Sequence, residues 1–173
     1  GHMQKLGFEL YCKLIRQAVS GQTEERPEVK CELKIGAYIE DKYIPSELQK
    51  LAVYKRISEI DSAADRDELL EELADRYGKP PESVRMLAEV AYMRALASKA
   101  GVERIRQKED AVIMSFASGY SLDFARVTAA VNAFAPKAAL SAGANLAIVL
   151  RVKGMTDADI TALAVSVLEK INE

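Results

Sequence analysis

Tyr43-Ile44-Pro45-Ser46-Glu47-Leu48-Gln49-Lys50-Leu51-Ala52-Val53-Tyr54-Lys55-Arg56-Ile57 and, farther along, Glu72-Leu73-Ala74-Asp75-Arg76-Tyr77-Gly78-Lys79-Pro80-Pro81 are the stretches that decide how this chain folds. Ser46 with Gln49 three residues on, directly after Pro45, is a capping-box pattern that predicts a helix running to about Ile60. Asp65 with Glu68 repeats the device and predicts a second helix. That helix should stop at Gly78, because glycine takes the left-handed conformation readily and Pro80-Pro81 prevents continuation. A third helix is expected over residues 82–100, burying Val84, Leu87, Ala88, Ala91 and Ala95 and ended by Gly101.

Toward the N-terminus, Phe8, Tyr11, Cys12, Ile15, Ala18 and Val19 recur at helical spacing and predict an amphipathic helix over residues 4–19. Residues 21–28 read as a polar loop. Val29-Lys30-Cys31-Glu32-Leu33-Lys34-Ile35 then alternates apolar and charged, the period of a strand with one buried face. From Val102 strands are expected, with 112–116 following a Lys108-Glu109-Asp110 turn, then a helix over 122–134. Residues 137–142 and 146–152 read as two strands around Gly143-Ala144-Asn145. Thr156 with Asp159 caps a last helix with a stripe of Ile160, Leu163, Ala164, Val167, Leu168 and Ile171. The expected fold is α+β: a helical N-terminal half, then a strand-rich half with two strand pairs and a C-terminal amphipathic helix. Gly1-His2-Met3 reads as a cloning scar, and residues 4–173 as a single domain.

With 173 residues and 49% hydrophobic content, the chain can bury a substantial core. Its 24 Lys and Arg against 26 Asp and Glu leave a formal charge of −2, so no global positive field draws it to nucleic acid. No apolar run approaches membrane-spanning length and no signal peptide is evident, so a cytoplasmic location without membrane contact is expected.

His2 is the only histidine and falls in the scar. A histidine-based active site is thereby excluded. Cys12 and Cys31 lack the spacing and companions of a metal site and read as buried reduced thiols. Gly78-Lys79-Pro80 breaks the phosphate-loop pattern and follows a helix rather than a strand. Glu68, Glu71, Glu72 and Asp75 fall opposite Leu69, Leu70, Leu73, Ala74 and Tyr77 on one helix, hence on a solvated face where nothing would raise a carboxyl pKa for catalysis. No catalytic, cofactor-binding or metal-binding residue is expected. A basic patch is the alternative: Arg104, Arg106 and Lys108 share one strand face, Arg151 and Lys153 another. If those strands were neighbours, five cations would form a stripe suited to phosphate in a nucleic-acid-binding module. No aromatic side chains interleave with them as stacking platforms.

The two opening stretches, together with Gly7-Phe8-Glu9-Leu10-Tyr11, resemble the C-terminal domain of bacterial transcription-repair coupling factors. The family pattern is an aromatic-Ile-Pro segment leading into Leu-x-x-Tyr-Lys-Arg-Ile, then a helix ending in Glu-Leu-x-Asp-Arg-aromatic-Gly. The likeness runs from Gly7 to about Gly101; Lys50 stands where arginine is usual, Glu40 where proline is, and Tyr77 where phenylalanine is. The resemblance implies a non-catalytic regulatory domain of a DNA translocase. By docking on the UvrB-like module of the same polypeptide, it would mask the surface that binds UvrA until RNA polymerase is engaged. Carried over, the contacting acids are Glu72 and Asp75, at i and i+3 on one helix.

Overall fold

The computed structural model describes residues 26–173; the expected helix over 4–19, Cys12, and most of the polar loop that follows lie outside the described residues. In order along the chain come β1 (Lys30–Glu32), α1 (Glu47–Ser58), α2 (Ala63–Tyr77), α3 (Glu82–Ala100), β2 (Val102–Lys108) and β3 (Ala111–Phe116). Then follow α4 (Phe124–Ala133), β4 (Ala138–Ala142), β5 (Leu146–Arg151) and α5 (Asp157–Ile171). The architecture is α+β, helices first and strand pairs after, as expected. Two compact units emerge, one containing Ile35–Tyr92 and the other residues 26–34 and Met93–Glu173. Residues 82–92 of α3 belong to the first and 93–100 to the second.

In the first unit, Ser46 caps α1 by accepting from the Gln49 amide. The cap of α2 is Ser62, which accepts from the Asp65 amide, while the Asp65 carboxylate accepts from the Asp61 amide. The helix thus begins a turn before the expected Asp65/Glu68 box. Ser62 wins because it is the nearer extended residue with an oxygen able to reach an unpaired amide of the first turn. Gly78 ends α2 at φ 85°, its amide donating to the Ala74 carbonyl.

The Tyr43 hydroxyl closes the same end, reaching the Leu73 carbonyl at 3.1 Å and the Gly78 carbonyl at 2.8 Å. Its ring meets Tyr77 edge-on, centroids 5.8 Å apart. Burial, and then the neighbouring Tyr77, push the Tyr43 phenol above its ordinary range. Among the described residues, the buried Tyr77 hydroxyl has no hydrogen-bond partner. Helix α3 was expected to bury one stripe; instead Met86, Val90, Tyr92, Met93, Leu96 and Ala97 are buried as well, and Ala95 is only half-buried. A helix apolar on nearly all sides is a core helix rather than a surface one.

The second unit is built on a five-stranded sheet in the order β1-β2-β3-β5-β4, with β1 parallel to β2 and the other pairs antiparallel. A register shift between Val102 and Arg104 lets both Val102 and Ile105 enter the core. Val112, Met114, Phe116, Ile148 and Leu150 complete that buried face. Helix α4 packs on α5 and on β4. In α5, a full capping box joins Thr156 and Asp159, and Thr161 and Val165 are buried beside most of the expected stripe, while Leu163 is half-buried.

The strand expected over 29–35 is shorter, Lys30–Glu32, because past Glu32 the chain leaves the ladder and the Lys34 amide donates to the Gln107 side chain at 2.9 Å. Cys31 is a reduced thiol, half-buried rather than buried. At Gly101, φ is 87° and an added Cβ would collide with the Tyr120 ring, whose hydroxyl donates to the Lys99 carbonyl at 3.2 Å.

The paired tyrosines give opposite expectations. Tyr43→Phe should lower stability by about 1 kcal/mol, while Tyr77→Phe should raise it by up to about 1 kcal/mol, since a buried hydroxyl without a partner is unfavourable. Urea unfolding of the two variants measures both. Gly101→Ala should lose about 2 kcal/mol or more, combining a left-handed backbone with overpacking against Tyr120; an unchanged unfolding midpoint would contradict the tight Gly101–Tyr120 approach.

Candidate interaction surface

The conspicuous residues of the two opening stretches meet in the first unit. On α2, Leu69 and Leu73 are buried and Leu70 and Tyr77 half-buried, so the apolar face forms largely as expected; Ala74, expected with them, is exposed. Opposite lie Glu68, Glu71 and Asp75, all exposed. Glu72 differs from the freely solvated acid that the sequence led us to expect. It is half-exposed and ion-paired with Arg56 of α1. The reason is geometric: Arg56 closes the last turn of α1 at the flank nearest α2, where its long side chain reaches a carboxylate without leaving water entirely. Glu72 therefore joins two helices, and Asp75, one turn on, is the acid left facing solvent.

Lys50, at a position where arginine was expected, is buried along its stem and bonds Asp41 and, at 3.4 Å, Glu47. Ile44 is fully buried, and the Tyr54 hydroxyl accepts from the Ile39 amide at 3.1 Å. Most of the motif thus serves to hold α1 and α2 in place. The outward side of α1 was not anticipated at all: Leu48 is 80% exposed and Leu51 55% exposed, with Ala52 and Lys55 beside them. The spacing 48, 51, 52, 55 was visible as a second helical stripe alongside the buried Val53 and Ile57. Nothing in sequence alone says which stripe the core takes.

The basic residues divide. Strands β2 and β5 are not neighbours; β3 lies between them. Register still sets Lys108, Ala111 and Arg151 in one row across the three strands. Arg104 is committed to Glu32, both carboxylate oxygens lying 3.0 Å from one guanidinium nitrogen, and that contact holds the Glu32 carboxyl below its usual range. Arg106 lies opposite Glu32 and Ile113. Arg151 donates to the Pro136 carbonyl at 3.1 Å, and Lys153 is exposed beyond the end of β5. A continuous stripe of five unpaired cations does not form.

Among the described residues no group of three His, Cys, Asp or Glu is placed to hold a metal ion, and no helix is long and apolar enough to cross a membrane.

The sequence matches the family model of the TRCF domain over residues 33–127, more than half of the chain and inclusive of both motifs. It is 32% identical over 128 residues to the transcription-repair-coupling factor of Bacillus subtilis, a match covering 71% of this chain and 11% of that protein. The Escherichia coli factor is 29% identical over 126 residues, covering 68% and 11%. The chain thus spans about a tenth of the length of these relatives. A crystal structure of the C-terminal domain of transcription-repair coupling factor shares the fold with a TM-score of 0.80 at 24% identity, over 87% of this chain and 96% of that one. With the family model matched over more than half of its length, the chain belongs to the TRCF domain family.

Proposed function

We propose that this chain is a regulatory docking domain that holds a transcription-repair coupling factor closed. It docks on the UvrB-like module of the same polypeptide, covers the surface that would bind UvrA, and is released when RNA polymerase is engaged. The observation that carries this reading is Asp75, a solvent-facing acid on a helix whose position is fixed by Tyr43, Gly78 and the Arg56–Glu72 pair. Rigid presentation lowers the ordering cost of an interface. Within one polypeptide, a weak interface is maintained by high effective concentration, and a second contact that favours the open form shifts the population.

The domain performs no chemistry of its own in this reading. Gly78, the one glycine followed by lysine in the opening motifs, closes a helix instead of cradling a phosphate.

Reversing Asp75 to lysine in the full-length parent should weaken docking, because a favourable contact becomes a like-charge one. A loss of ~2 kcal/mol shifts the closed-to-open ratio about thirtyfold. UvrA should then be captured without RNA polymerase, while the isolated domain melts as before. Glu72→Lys should open the protein too, but with a lowered melting temperature, since it also breaks the Arg56 pair. UvrA pull-downs with thermal melts test this, and unchanged UvrA capture by Asp75→Lys would refute the contact. The purified chain should show no ATP turnover above background in a coupled assay.

A further inference from the structure

Leu48 and Leu51 lie one turn apart on the outward side of α1, 80% and 55% exposed, with Ala52 and the stem of Lys55 continuing the apolar strip. Single exposed leucines are ordinary; two on adjacent turns of one rigid helix make a patch. Polar residues border it: Glu47 and Glu59 are exposed at the two ends of α1, and the Arg56–Glu72 pair joins its flank to the acidic side of α2, with Glu68 and Asp75 one turn away on either side of Glu72. An apolar centre with a charged rim is the anatomy of a protein interface.

We infer that Leu48 and Leu51 are the apolar anchor of the docking surface, entering a hydrophobic pocket on the UvrB-like module that is bordered by cations. This inference rests on the docking proposed above and adds which residues supply most of its binding energy. The acids select the occupant. Glu68 and Asp75, one turn either side of the Glu72 that pairs with Arg56 at the flank of the patch, disfavour nucleic acid and anionic lipid. A basic protein surface with an apolar cleft is the occupant complementary to both parts. Within that arrangement, the leucines give affinity through desolvated area, and the acids set orientation and exclude other partners.

The test uses the full-length parent carrying Leu48→Ala and Leu51→Ala together, beside Asp75→Lys, with UvrA pull-down in the absence of RNA polymerase at low and high salt. The leucine variant should capture roughly tenfold more UvrA than wild type, the least expected from withdrawing one buried leucine. Its effect should persist at high salt, whereas charge contacts are screened. Thermal melts of the isolated chain should move little, because Leu48 is 80% and Leu51 55% exposed. If Asp75→Lys opens the protein and the leucine variant does not, the anchor is wrong and the docking stands. If neither opens it, both fail. If the isolated chain sediments as a dimer that the leucine substitutions dissociate, the face joins copies of this chain and the inference is overturned.

Discussion

The hydrogen bonds that the Tyr43 hydroxyl makes across the C-terminal end of α2 are the constraint on which the first unit depends. A helix that stops abruptly before two prolines needs its last turn held from outside. Tyr43 supplies the donor from the loop before α1, and Gly78 supplies the backbone turn that brings the carbonyls within reach. Because Tyr43 and Ile44 lead directly into the Ser46 cap, satisfying the end of one helix also fixes the beginning of another. The ion pair of Arg56 and Glu72 then sets the far end of α1 against the middle of α2. At roughly two-fifths exposure on each side, that pair is worth little as stability, on the order of 1 kcal/mol or less. Its consequence is orientation.

Element type and order could be read from sequence because they rest on local signals. Caps, a terminal glycine and the prolines act within a few residues. What could not be read rests on partners distant along the chain. The strand near Cys31 is short because Gln107 takes the Lys34 amide, and the Val102 register shift reflects pairing with β3. The near-complete burial of α3 follows from where other elements lie, since alanines and methionines fit either a surface or a core. For the candidate surface, periodicity placed the acids of α2 on the outward side, and Asp75 is there. Periodicity could not show Arg56 reaching Glu72, nor Leu48 and Leu51 facing water, because α1 carries two apolar stripes of similar strength and only packing selects between them.

The distribution of charge in the second unit has the same origin. Outward positions on a half-covered sheet must carry polar or small side chains, and Arg104, Arg106 and Lys108 meet that need on β2. Glu32 on the adjoining strand neutralises Arg104 directly. Cations spent on cross-strand contacts are poor phosphate binders, since each must give up one partner to take another.

Strand β1 precedes Ile35–Tyr92 of the first unit in sequence and yet belongs to the sheet of the second, so Glu32 and Arg104 meet from 72 positions apart along the chain. Closing a loop of that length has an entropic cost on the order of 4 kcal/mol, offset by the three-residue ladder, the buried Val29, the Arg94 and Ser98 side chains on the Val29 and Pro27 carbonyls, the Lys34 amide on Gln107 and the Glu32–Arg104 pair. During synthesis the helices of the first unit can form around local contacts long before β2 emerges. Segment 26–34 thus commits the sheet to a pairing that only a nearly complete chain can make, since its partner strand is synthesised after Ile35–Tyr92.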